Sequence, residues 1–296
     1  MDNEQPTKFQ SWVIASRPKT LPAAVAPVLV GSALAYNQGK FHIELSIIAL
    51  ICSFLIQIAT NFSNDLYDFL KGADTAKRKG PRRVLASGLI TVKEMKLAVF
   101  ITFMLAFIFG LYLVYRTDYV VLIIGVLSII AGLAYTAGPF PLAYNGLGDI
   151  FVFIFFGVIG TAGTYYLHHL EINALSLAAS IPVGTLITNI LVVNNYRDIN
   201  EDKEAGKNTL AVILGKTFSR YQLIFSLIIA YLIPLFLLLY YNFNLWILLP
   251  YVSLPIAILS VIHFYRNTGI ELNKTLALTA QLSAIYGLLF SIGIIL

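Results

Sequence analysis

The chain has 296 residues, 58% hydrophobic and 12% charged, with a mean hydropathy of +0.80. Soluble domains carry about 25% charged residues, so a wholly water-facing surface is excluded and lipid must be much of the solvent. The net charge of +5 does not point to nucleic acid, because the placement of the basic residues is explained by membrane topology.

In chain order, the first 15 residues or so read as a short cytoplasmic tail or interfacial helix. Nine apolar stretches follow, at about 21–38, 45–70, 97–115, 119–136, 149–167, 173–196, 222–241, 245–264 and 276–296. Backbone groups in hydrocarbon must be satisfied within their own segment, so stretches near 20 residues are expected to be helices. The fold class is therefore an all-α integral membrane protein with nine transmembrane helices, in a single membrane-embedded domain over 1–296. Ala33-Leu34-Ala35 resembles a signal-peptide cleavage site, but Pro22 and Pro27 interrupt the apolar run before it, and the first span is expected to be retained.

With the N-terminus inside, only Lys40 and Arg116 of the 20 Lys and Arg fall outside, which leaves 18 inside. Positive charge resists translocation, so the N-terminus is expected to be cytoplasmic and the C-terminus external. Two inside loops hold most of the charge, after the second and the sixth span. A third, 137–148, has none and reads as a turn punctuated by Gly and Pro. His168 and His169, beside Glu171, are expected in a solvated outer loop. Cys52 has no partner cysteine and reads as a small buried hydrophobe.

The chemistry lies at two helix ends. Near the end of the second span, Asn61, Asn64, Asp65 and Asp68 recur every three or four residues and share one face. Lys71, Gly72 and Asp74 follow. At the end of the sixth, Asn194, Asp198 and Asp202 recur every four, with Arg197 among them. Carboxylates near membrane depth cost about 3 kcal/mol each on insertion scales, so they face a cavity and a partner. Hard oxygen ligands suit Mg²⁺, which keeps positions for water and substrate phosphate. The basic residues beyond each motif suit a diphosphate. The plain alternative, helix ends meeting water with cations for topology alone, would account for one motif better than for two on the same side.

At these residues the chain resembles the UbiA superfamily of intramembrane prenyltransferases. The superfamily pattern Asn-Asp-x-x-Asp-x-x-x-Asp is met by Asn64, Asp65 and Asp68, but Gly72 stands in the last place and Asp74 comes two later. That departure is similar to the MenA branch. Arg17-Pro18-Lys19-Thr20-Leu21-Pro22, Gly80-Pro81-Arg82-Arg83, Tyr135-Thr136-Ala137-Gly138-Pro139, Gly146-Leu147-Gly148-Asp149 and Gly206-Lys207-Asn208-Thr209-Leu210 agree with the same branch.

The resemblance implies transfer of a polyprenyl group from polyprenyl diphosphate to 1,4-dihydroxy-2-naphthoate with loss of its carboxylate, in the inner or plasma membrane of a bacterium. Asn64, Asp65, Asp68, Asp74, Asp198 and Asp202 are the candidate Mg²⁺ ligands, with Asn61 and Asn194 beside them. Lys71, Arg78, Arg83, Arg197 and Lys207 are the candidate diphosphate partners. Lys19 is placed by the acceptor carboxylate, Asp149 by the aromatic substrate, and Tyr135 against the allylic cation. Two alternatives stand beside this: a related enzyme with another acceptor, 4-hydroxybenzoate or haem, and a secondary transporter. Transporter acids tend to lie at the midplane on broken helices, whereas these lie at cytoplasmic helix ends.

Overall fold

The computed structural model describes residues 6–73 and 83–296. Those residues form helices and turns, with one isolated backbone bridge between Asn145 and Asn208. An N-terminal helix α1 (Lys8–Ser16) is opened by a Thr7–Gln10 capping box. A turn at Pro18–Thr20 separates it from α2 (Pro22–Asn37), whose axis is bent away by 49°. The long α3 (Ile43–Leu70) and α4 (Val92–Arg116) pair side by side, and α5 (Tyr119–Ala134) packs against both. Then come α6 (Gly148–His169), α7 (Ala174–Arg197), a short α8 (Ile199–Glu204), α9 (Leu210–Tyr240), α10 (Leu245–Arg266) and α11 (Leu272–Ile295).

Each of the nine predicted apolar stretches lies on a helix, but the helices differ in reach. Among the described residues, seven are long and apolar enough to cross a membrane, and the bent pair Lys8–Thr20 and Pro22–Asn37 makes an eighth if taken as one span. The shortfall from nine is local. Asp118 caps α5 at one end and the Gly138-Pro139 turn stops it at the other, leaving 16 residues, or about 24 Å of helix. Large Leu, Ile and Phe side chains such as Phe100, Ile108, Ile130 and Phe225 are exposed on the outer faces, as a lipid solvent requires.

The main core lies where α2, α7, α9, α10 and α11 meet, around Leu34, Leu223, Tyr286 and Phe290. Close approach is carried by small residues. A Cβ on Gly157 of α6 would lie 2.8 Å from the Gly184 Cα of α7, and one on Gly287 of α11 would lie 2.6 Å from the Ala26 Cβ of α2. A second cluster joins α1, α3 and α4 through Phe62, Leu66, Met95 and Phe103, with Trp12 edge-on to Phe62 at 5.5 Å. Val84 and Leu85 are buried in that cluster, which anchors the segment entering α4.

The C-terminal end of α6 departs from the expected solvated loop. His168 is buried, accepting the His42 backbone N–H on Nδ1 at 3.2 Å and meeting Ser46 Oγ through Nε2 at 3.2 Å. The helix of α6 carries it inward, so sequence proximity to Glu171 misplaced it.

Candidate active site

The first acidic face forms as its spacing requires. Helix α3 has 28 residues, about 42 Å at 1.5 Å per residue, against about 30 Å of hydrocarbon. Its last turns therefore reach the polar boundary with their carboxylates still packed in protein. Asn61, Asp65 and Asp68 are all buried. The helix closes with Ala73 N–H donating to Asp68 C=O at 2.9 Å and Gly72 N–H to Phe69 C=O at 3.0 Å, the paired bonds of a Schellman motif. Gly72 has φ +72°. The position where the superfamily pattern has an aspartate is thus a left-handed stop, which a side chain would strain.

The second acidic run keeps its four-residue spacing across a change of helix: Asp198 N–H donates to Asn194 C=O at 3.1 Å and Asp202 N–H to Asp198 C=O at 2.8 Å. Helix α7 ends at Arg197, and Asp198, at φ −94° and ψ 9°, joins it to α8. At that junction Arg197 turns back on Asp198, donating from Nε at 2.6 Å and Nη2 at 2.7 Å. The same guanidinium donates to Asn194 Oδ1 at 2.8 Å and to Asn273 Oδ1 of α11 at 2.7 Å. Helix α8 then ends as α3 does. Lys207 N–H donates to Asp202 C=O at 2.8 Å, and Gly206 N–H to Lys203 C=O at 3.2 Å, with Gly206 at φ +68°. Both acidic helices therefore stop on a glycine four residues after their second aspartate.

The two ends meet over a cavity of about 400 Å³. Its polar end is lined by Arg17, Asn61, Asn64, Asp68, Arg83, Tyr135, Asp149, Asn194 and Lys207; its apolar part is walled by α4, α5 and α6, including Phe107, Leu122, Phe155 and Ile159. Asp65 is not itself among the lining residues, but it accepts from two that are, Arg17 at 2.7 Å and Arg83. Arg83 lies 3.5 Å from Asp68, and Lys207 3.9 Å from it. Tyr144 donates to the other Asp68 oxygen at 2.8 Å. Thr136 Oγ1 donates to Asn64 Oδ1 at 3.0 Å, and Lys71 Nζ to the Thr136 carbonyl at 2.8 Å. Desolvation holds the Lys71 ammonium below the ordinary lysine range, opposed by the Asp68 charge. Asp149, at the start of α6, accepts from Gln222 Nε2 of α9 at 3.0 Å.

Some expected site residues are placed otherwise. Lys19 is exposed and does not line the cavity. Arg17, two residues earlier, has left-handed backbone (φ +53°) ahead of Pro18 and lines the cavity in its stead. Arg197 is not among the cavity-lining residues, and neither are Lys71, Asp198 and Asp202; the Arg197 guanidinium is engaged with Asp198, Asn194 and Asn273. Asp74 and Arg78 lie outside the described residues. The sequence reading gave no role to Arg17, although it opens the Arg17–Pro22 segment that carries part of the resemblance, and missed Tyr144, Gln222 and Asn273, which carried no signal.

Among the described residues, no three His, Cys, Asp or Glu gather closely enough to hold a metal ion by themselves. The polar end nonetheless offers only oxygen donors beside cations. Mg²⁺ binds through one or two carboxylates and fills its shell with water and phosphate. The oxygen donors present, with cations beside them, therefore fit an ion that shares its shell with a diphosphate.

Comparison with known proteins agrees with this geometry. The UbiA prenyltransferase family is matched over residues 24–285. The chain is 41% identical to a 1,4-dihydroxy-2-naphthoate octaprenyltransferase of Escherichia coli (strain K12), covering 100% of this chain and 98% of the relative. A UbiA homolog from Aeropyrum pernix K1 has the same fold, at TM-score 0.72 and 15% identity, covering 93% of this chain and 98% of the other. A UbiA homolog from Archaeoglobus fulgidus, bound to DMAPP and Mg²⁺, superposes at TM-score 0.62 and 16% identity over 95% of this chain and 99% of that one.

Proposed function

The chain belongs to the UbiA prenyltransferase family, and from that premise we propose that it transfers a polyprenyl group from polyprenyl diphosphate to 1,4-dihydroxy-2-naphthoate, with loss of CO₂, on the route to menaquinone. The observation that carries this reading is the cavity itself. It joins Asn64 and Asp68 of one acidic motif and Asn194 of the other to a long apolar chamber, the pairing that a charged head on a hydrocarbon tail needs. The naphthoate acceptor is supported by the relative that is 41% identical over the full chain.

In the proposed reaction, the allylic C–O bond breaks with its electron pair passing to the diphosphate. An electron-rich ring carbon takes the allylic carbon, and the carboxylate leaves as CO₂. Mg²⁺, when bound, supplies Lewis-acid stabilisation of the leaving diphosphate; a UbiA homolog bound to DMAPP and Mg²⁺ supports its use. Asp65, Asp68, Asp198 and Asp202 are assigned to the ion, with Asn64 and, beyond the described residues, Asp74. Arg83, Lys71, Lys207 and Arg17, together with Arg78, are assigned to the diphosphate oxygens. Arg197 positions Asp198. Tyr135 presents a neutral ring to the reacting carbon, and Asp149 lies at the acceptor side. Excluding water and fixing the ring beside the allylic carbon account for much of the barrier reduction.

The chain is further proposed to cross the membrane nine times as one domain, N-terminus in the cytoplasm and C-terminus outside, in the cell membrane of a bacterium. Among the described residues, Lys71, Arg83, Arg197 and Lys207 of the basic loops lie at the end of the bundle that holds the acidic motifs, which supports that orientation. The test is to incubate purified protein with a prenyl diphosphate, Mg²⁺ and either dihydroxynaphthoate or 4-hydroxybenzoate, and to weigh the products. Prenylated, decarboxylated naphthoate is expected. Preference for the single-ring acid, or a product that keeps its carboxylate, would assign another acceptor.

A further inference from the structure

The loop 137–148 contains no charged residue, yet it reaches the most charged part of the site. It does so through Tyr144. The Tyr144 hydroxyl donates to Asp68 Oδ1 at 2.8 Å. Its ring carries two ammonium groups: Lys71 Nζ is 4.4 Å from the ring centroid and Lys207 Nζ is 5.3 Å from it. The lysines come from different places, one just past the end of α3 and one from the turn after α8. Like charges repel, and an aromatic face is one of the few uncharged groups that attracts a cation. The loop backbone is tied to the same turn, with Asn208 N–H donating to the Tyr144 carbonyl at 3.0 Å and Asn145 bridged to Asn208.

We propose that Tyr144 is a positioning residue for the diphosphate. Its ring is the platform that holds Lys71 and Lys207 together beside Asp68, and its hydroxyl fixes the Asp68 carboxylate for the metal. The inference rests on the prenyl-transfer reading above and assigns a device within that site. The two roles sit on different atoms. The hydroxyl engages one Asp68 oxygen and leaves Oδ2 on the side of Arg83 and Lys207. The ring acts through the lysines, where a phosphate would bind. A residue that merely packs the loop would not separate metal dependence from phosphate affinity.

The experiment uses the full chain in detergent and inorganic pyrophosphate as the probe, titrated calorimetrically at saturating Mg²⁺, with the Mg²⁺ dependence of turnover measured in parallel. Tyr144→Phe keeps the platform, so pyrophosphate affinity is expected to stay within about threefold, while the Mg²⁺ needed for half-maximal turnover rises about three- to tenfold. Tyr144→Met removes the ring at similar volume and is expected to weaken pyrophosphate about tenfold and raise the KM for prenyl diphosphate in step. Lys71→Met should weaken pyrophosphate clearly in the wild-type background and little further in Tyr144→Met, because the ring acts through that lysine. Additive losses in the double variant overturn the platform. If Tyr144→Met does not fold, Tyr144→Phe decides: loss of pyrophosphate affinity in proportion to the Mg²⁺ shift overturns the division of roles. Wild-type protein that neither binds pyrophosphate with Mg²⁺ nor turns over prenyl diphosphate would remove the prenyl-transfer reading and this inference together. Normal wild-type behaviour with unsplit variants removes the inference alone.

Discussion

Arg17 and Asp65 are 48 positions apart in the chain, and a guanidinium nitrogen of the first lies 2.7 Å from a carboxylate oxygen of the second. The contact ties the turn between α1 and α2 to the first acidic motif. Arg17 holds it with left-handed backbone at φ +53°, a conformation that non-glycine residues adopt rarely.

Removing that contact is expected to lower turnover. Hydrogen bonds to charged groups contribute about 1.5–3 kcal/mol, so Arg17→Ala should reduce kcat/KM for prenyl diphosphate about ten- to a hundredfold, with Arg17→Lys partly restoring it. Lys19, exposed beside it, is the control: Lys19→Met should change kcat/KM for either substrate less than about threefold. Steady-state kinetics on the three variants check this, and a larger effect at Lys19 than at Arg17 would reverse the assignment.

The acidic motifs are expected to act through Mg²⁺. Chelation should abolish transfer, and added Mg²⁺ should restore it. Asp65→Asn, Asp68→Asn, Asp198→Asn and Asp202→Asn should each lose about a hundredfold or more in turnover, the scale of removing one preorganised stabiliser of developing charge. Size-exclusion profiles should match the wild type. Near-normal rates in any two of the four would place the site elsewhere.

Gly72 is expected to be required for its backbone, not for want of a carboxylate. It stands at φ +72° with no atom of the described residues within 4 Å of its missing Cβ, so conformation is what opposes a side chain. Gly72→Ala should destabilise by about 1 kcal/mol, and Gly72→Asn, which tolerates left-handed backbone, by less. Thermal inactivation half-times measure the order. Equal stability of all three would mean the helix end relaxes.

Single cysteines in a Cys52→Ser background test the membrane orientation. Cysteine in place of Lys203 should react with an impermeant maleimide only from the cytoplasmic side, and cysteine in place of Lys40 or Asn242 only from outside. Labelling of positions 40 and 203 from the same face would contradict the proposed crossing pattern.

Much of this was legible along the chain because lipid imposes it. A helix is forced wherever about 20 apolar residues run together, so every stretch from 21–38 to 276–296 was found on a helix. The shared face of Asn61, Asn64, Asp65 and Asp68 also followed, since a period of 3.6 is a property of the helix alone.

What the sequence could not decide was which cation answers which carboxylate. Basic residues near the inner surface are placed by topology whether or not they act, so Arg17, Lys19, Arg83 and Arg197 look alike in a list of charges. Tertiary structure separates them. A left-handed residue before Pro18 brings Arg17 into the cavity and leaves Lys19 exposed. Packing of Val84 and Leu85 holds Arg83 against Asp65, and Asp198, Asn194 and Asn273 hold Arg197 away from the cavity lining. Tyr144 is the extreme case: uncharged and in a loop without periodicity, it gains its place from contacts with residues 60 to 80 positions away, and contacts at that separation leave no periodic trace in the chain.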